Sequence, residues 1–169
     1  GTTSTYDSSG NANTGTMTSM ESTDWVQGKY GSALDFDGSG EYVTLANESS
    51  FDFENNTQFS VEAWIKLDTL SSYGIISKQE AAANNTGWVL FTEDPGTGQE
   101  AALQLRTAGT DQLIVYSSGA ALAVNTWAHV AATYDGSTDV SGVKIYVNGV
   151  SLATANTTDT LETENLIVN

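Results

Sequence analysis

The chain has no cysteine, one proline, one histidine and only 5 lysines and arginines among 169 residues. Each scarcity excludes something. Without cysteine there is no disulfide framework, and the redox compartment cannot be read from thiols. A chain of this length buries a core by packing alone, without staples. One proline and no low-complexity run argue against a disordered chain. The few cations face 21 carboxylates, leaving a net charge of −16. Nucleic acid and anionic membrane surfaces need clustered cations, so neither is an expected partner.

Other absences concern chemistry. The lone His129 has no second histidine with which to share a metal, and it reads as a structural residue. No serine stands in a nucleophile motif, and no glycine-rich phosphate loop is present. Nucleophilic, zinc and nucleotide chemistry therefore lack support. No segment is apolar for long enough to span a membrane, and no signal peptide is recognisable. No window carries a convincing helical stripe, although "KQEAAANN" (78–85) suits one helical turn. Sequons stand at Asn47, Asn55, Asn84 and Asn156, about what chance gives in a chain so rich in Asn, Ser and Thr.

What remains is alternation. Hydrophobic residues make up 39 % of the chain, and the abundant Ser, Thr, Gly and Asn suit turns and strands with one polar face. In "FSVEAWIKL" (59–67), Phe59, Val61, Ala63, Ile65 and Leu67 fall on one side. Ser60, Glu62, Trp64 and Lys66 fall on the other, the pattern of a strand with one face on a core. Asn148-Gly149, between apolar residues, is a strong hairpin signal. Shorter strand-like runs occur at "ALDF", "YVTL", "GIIS", "GWVLF", "ALQLR", "QLIVY" and "WAHVAATY", separated by turn-rich pieces. Short strands at this spacing predict a single all-β domain over residues 1–169, a two-sheet sandwich or jelly roll.

The order of the motifs says more. "GKYGSALDFDGSGEYVTL", "FSVEAWIKL", "GIISK", "WAHVAATYDG" and "VKIYVNGV" resemble the laminin-G-like, concanavalin A-like lectin–glucanase jelly-roll family. The opening "DSSGNANTGTM" resembles that family's first loop, so the likeness runs from residue 7 to about residue 155. It implies a two-sheet antiparallel jelly-roll sandwich. It also implies that the family's first strand and its last strand pair lie outside this chain, which would leave an open sheet edge able to pair with another chain.

Three groups of residues are candidates for function. "DSSGNAN" offers a carboxylate at Asp7, a carbonyl at Gly10 and amide oxygens at Asn11 and Asn13, all types that calcium accepts. A plain Asx-type turn explains the same residues. The resemblance adds that this loop commonly joins a structural calcium site whose other ligands come from the far end of the chain. Glu62, Trp64 and Lys66, on one strand face, supply an aromatic plane and polar partners suited to a sugar. Trp88 and Trp127 read as core aromatics. Catalytic carboxylates are weakly represented. A glycosidase needs two of them, roughly 5 to 9 Å apart across a cleft, and the only alternating pair, Asp35 and Asp37, runs into a turn.

The function these features suggest is a non-catalytic extracellular or cell-surface module for binding or adhesion, stabilised by calcium, recognising a glycan or a surface protein. The alternative is a structural subunit of a surface layer or filament, self-associating through open sheet edges. A carbohydrate-active enzyme is the weaker third possibility.

Overall fold

The computed structural model describes residues 3–80, 85–94, 96, 98–109, 111–119 and 122–161. By its contacts the chain divides into two compact units, Gly1–Ser50 and Phe51–Asn169. The strand ladders are antiparallel throughout, as alternation and short turns require.

In the first unit β1 (Ser4–Thr5), β2 (Gly15–Thr18) and β5 (Tyr42–Leu45) form one small sheet in the order β1-β2-β5. A separate hairpin pairs β3 (Trp25–Gln27) with β4 (Ser32–Leu34). Met17 is the one hydrophobic residue of this unit that is buried, among the described residues. Tyr6, Trp25, Tyr30, Phe36 and Tyr42 are all exposed.

The second unit is a sandwich. Its four-stranded sheet contains β6 (Phe59–Lys66), β11 (Trp127–Tyr134), β12 (Val143–Val147) and β13 (Val150–Ser151), in the order β13-β12-β11-β6. Its five-stranded sheet contains β7 (Tyr73–Glu80), β8 (Thr86–Glu93), β9 (Glu100–Arg106), β10 (Gln112–Ser117) and β14 (Thr154–Asp159), in the order β14-β10-β9-β8-β7. The expected period of two decides which side chains meet between them. Val130, Ala132 and Ile145 from one sheet join Leu90, Leu103, Leu105 and Val115 from the other, all fully buried. Phe53 and Phe59 stack at 4.6 Å between ring centroids, and Trp88 lies 5.5 Å from Phe59. The indole of Trp88 also donates to the Phe51 carbonyl at 3.0 Å, which satisfies the one polar atom such a burial brings in.

The hairpin expected at Asn148-Gly149 is present. Val147 pairs with Val150, and both turn residues have positive φ, 52° and 78°. That twist matches the flanking strands. "KQEAAANN" departs from expectation: Lys78, Gln79 and Glu80 close β7 as strand residues paired with β8, and residues 81–84 lie outside the described residues. Ladder pairing to β8 outweighs the local helix preference of this run. The sequon at Asn84 lies outside them too.

Candidate functional site

Every second residue of β6 points away from the core, and register fixes its neighbours. Lys66 stands opposite Trp127, Trp64 opposite His129, Glu62 opposite Ala131, and Ser60 opposite Thr133. On the far side of β11, Ala131 meets Tyr146 and Thr133 meets Lys144. The sequence-predicted trio Glu62, Trp64 and Lys66 is thus gathered on one face, with Trp64 39 % exposed. His129 completes it. Its ring lies 5.2 Å from that of Trp64, and its Nε2 is 3.6 Å from the Glu62 carboxylate. The Lys66 ammonium sits 5.8 Å from the centre of the Trp127 ring, within cation–π range.

One expectation changes here. Trp127 is no core aromatic. The buried face of β11 is Ala128, Val130, Ala132 and Tyr134, and Trp127 is out of phase with it. His129, expected as a structural residue, is held by the register against Trp64 and Glu62. The alternation within "WAHVAATY" already put Trp127 and His129 on one side; which side needed the facing sheet. Cations are also concentrated here. Of the chain's 5 Lys and Arg, Lys66 and Lys144 belong to this face, whereas Lys78 is paired with Asp52 at 3.0 Å.

The opening loop is an Asx-type turn with one loose end. Asp7 accepts from the Ser9 N–H at 2.7 Å, the Ser9 hydroxyl at 2.8 Å and the Asn13 N–H at 2.7 Å. The Ser9 hydroxyl above all, then the two N–H groups, hold the Asp7 carboxyl below its usual value. The Asn11 N–H donates to the Ser9 hydroxyl at 3.2 Å, and Gly10 supplies the positive φ, 86°, at the turn. Asn13 Oδ1 is buried and accepts no hydrogen bond. A buried amide oxygen in that state is costly, and a hard cation would satisfy it. The donor types therefore fit calcium. Among the described residues no cluster of three or more acidic or histidine side chains is gathered to hold a metal, so carbonyl and amide oxygens would have to supply most of the ligands.

The five-stranded sheet holds a pair that strand-by-strand reading missed. Glu93 and Glu100 stand directly opposite each other across the β8–β9 ladder. Tyr116 donates to Glu93 at 2.7 Å, and Glu100, 1 % exposed, accepts from the Gly119 N–H at 3.3 Å. Burial first, then the bond to Glu93, push the Tyr116 hydroxyl well above the ordinary tyrosine value. The clue was available in "EDPGTGQE": two glutamates equidistant from the centre of a turn become cross-strand partners.

The Laminin_G_3 model, described as the concanavalin A-like lectin/glucanases superfamily, matches residues 37–168. The chain belongs to that family. The match covers more than half of the chain and includes every strand of the four-stranded and five-stranded sheets. No curated protein and no solved structure matches the chain. The laminin-G, concanavalin A-like assignment agrees with the antiparallel sandwich, and with the jelly-roll class expected from the sequence. It is compatible with a binding module, but a description spanning lectins and glucanases does not choose between binding and hydrolysis. Among the described residues no helix is long and apolar enough to cross a membrane.

Proposed function

We propose that this domain is a non-catalytic extracellular or cell-surface binding module, for adhesion or recognition, whose ligand is a glycan held on the outer face of the four-stranded sheet. The observation that carries this reading is Trp64. An indole 39 % exposed on an otherwise polar strand face, with Glu62, Lys66 and His129 around it, offers an apolar plane to a pyranose and charged partners to its hydroxyls. A glycan array followed by calorimetric titration of the strongest hit tests it. Trp64→Ala is expected to weaken binding at least tenfold, about 1.4 kcal/mol, with the melting temperature nearly unchanged because the side chain lies outside the core. Unaltered affinity in Trp64→Ala would end this reading.

The same proposal assigns structural calcium to the Asp7 loop, through Asp7, Asn11 and Asn13 side-chain oxygens and the Gly10 carbonyl. A specific observation also favours a second reading, assembly through sheet edges. Among the described strands, eight-residue β6 pairs only with β11, and eight-residue β7 only with β8. Edges of that length are templates for another strand. Light scattering with a parallel thermal melt, in calcium and then in EDTA, separates these ideas. Calcium is expected to raise the melting temperature, an effect abolished in Asp7→Ala, and a melt indifferent to EDTA would remove calcium from the proposal. A monomer in both buffers would rule out the assembly reading.

A further inference from the structure

At one end of the four-stranded sheet lies an open cavity of about 410 Å³ whose polar lining is Gln58, Ser60, Thr133, Asp135, Ser141 and Lys144. Its volume falls in the range of small-molecule sites. Register places it on the face already described. Ser60, Thr133 and Lys144 form one cross-strand row, next to the row of Glu62, Ala131 and Tyr146. From Ser60 to Trp64 the strand advances about 13 Å at roughly 3.3 Å per residue. We propose that this cavity binds one unit of a neutral oligosaccharide, as a subsite of the same glycan site that runs along the sheet to Trp64. The inference rests on the glycan reading and adds the class of ligand.

The chemistry selects the class. A sugar hydroxyl both donates and accepts. Asp135 accepts, Lys144 donates, the three hydroxyls of Ser60, Thr133 and Ser141 do either, and the Gln58 amide does both. A fixed anion would meet the Asp135 carboxylate within a protein of net charge −16, and a fixed cation would meet Lys144. A neutral, hydroxyl-rich guest meets neither conflict. Phe59 and Tyr134 also border the cavity, but their side chains turn into the core, so the side chains offered to a guest are polar. The Tyr134 hydroxyl is already committed, donating to the Asn55 carbonyl and accepting from the Thr138 N–H at 2.8 Å.

The cavity is held open before any ligand arrives. Asp135 accepts from the Ser137 N–H at 3.0 Å, and Asp139 from the Ser141 N–H at 2.7 Å. These bonds brace the loop between β11 and β12 that carries Ser141. Gly142 gives Asp135 its room, since a Cβ there would lie 2.1 Å from the carboxylate oxygen. A rigid polar cavity spends little binding energy on ordering itself.

The test uses the full chain with cello-, malto- and laminari-oligosaccharides of one to six units, and trigalacturonate as the anionic comparison. Wild type is expected to bind at least one neutral series, with affinity rising over the first three or four units. Lys144→Gln and Thr133→Val are expected to lower the affinity of the longer members about tenfold and to flatten that dependence on length. Melting curves confirm that both variants remain folded. If both bind like wild type while Trp64→Ala does not, the cavity proposal is overturned and the glycan reading stands. Trp64-dependent binding of trigalacturonate alone overturns the neutral class and leaves the glycan reading intact. Neutral binding lost in Lys144→Gln but kept in Trp64→Ala overturns the continuous site running to Trp64, and with it both this proposal and the glycan reading built on Trp64.

Discussion

Gly87→Ala is expected to destabilise the sandwich of residues 51–169 by about 3 kcal/mol or more, a large part of the 5–15 kcal/mol that holds an ordinary domain together. Gly87 lies in β8 at φ 120°, a region that L side chains rarely adopt. A Cβ added there would sit 1.9 Å from the carbonyl oxygen of Lys78 and 3.3 Å from the Cα of Gln79. Both are backbone atoms of β7, and Gln79 is the residue with which Gly87 pairs. No rotamer change relieves such an overlap. The strands must separate or the backbone must take another conformation, and each costs about 1–3 kcal/mol or more. Gly74→Ala is the control. It lies in the same ladder, and a Cβ there meets nothing within 4 Å, so a change within about 0.5 kcal/mol is expected. Urea denaturation followed by tryptophan fluorescence compares the two. Equal midpoints for Gly87→Ala and wild type would show that β7 and β8 leave room for a Cβ at this position.

Cutting the chain after Ser50 is expected to leave one folded piece and one unfolded one. The hydrophobic cluster that runs from Phe59 to Leu161 lies wholly within residues 51–169. The described part of residues 1–50 has Met17 as its only buried hydrophobic residue. Burying one methionine yields roughly 1.5–3 kcal/mol, whereas ordering the backbone costs about 1–2 kcal/mol for every residue. The isolated 1–50 peptide should therefore show the circular dichroism and rapid amide exchange of an unfolded chain. Residues 51–169 should melt cooperatively and keep the near-ultraviolet signal of Trp88, packed against the stacked pair Phe53 and Phe59. A cooperative melt of the 1–50 peptide would contradict the first half of this expectation. A featureless near-ultraviolet spectrum for 51–169 would contradict the second.

Much of the sandwich was legible from local pattern. Each of the seven short runs and "FSVEAWIKL" contributes to a strand, because period-two alternation is a property of consecutive residues. The short strands β1, β2 and β3 and the polar strand β14, "TANTTD", were not legible. A strand of two to four residues is too brief to show a period. Thr154–Asp159 carries no apolar alternation and is a strand because β10 offers it a ladder. The Asx-type turn at Asp7 was foreseeable from Asp, Ser and Gly spacing, while the orphaned Asn13 oxygen depends on what surrounds it.

The sequence by itself determined the alternation of the strand faces, the Asn148-Gly149 turn, and the placing of Glu62, Trp64 and Lys66 on one side. Those follow from backbone stereochemistry, which needs no knowledge of distant residues. Only the tertiary structure decided that His129 lies against Trp64, that Trp127 faces outward, that Glu93 opposes Glu100, and that Ser60, Thr133 and Lys144 border one cavity. Such neighbours are set by ladder register between strands far apart in the chain, as Phe59 of β6 and Tyr134 of β11 are. Register in turn is chosen by which apolar faces can be buried together, a property of the whole packed core that no short stretch of sequence contains.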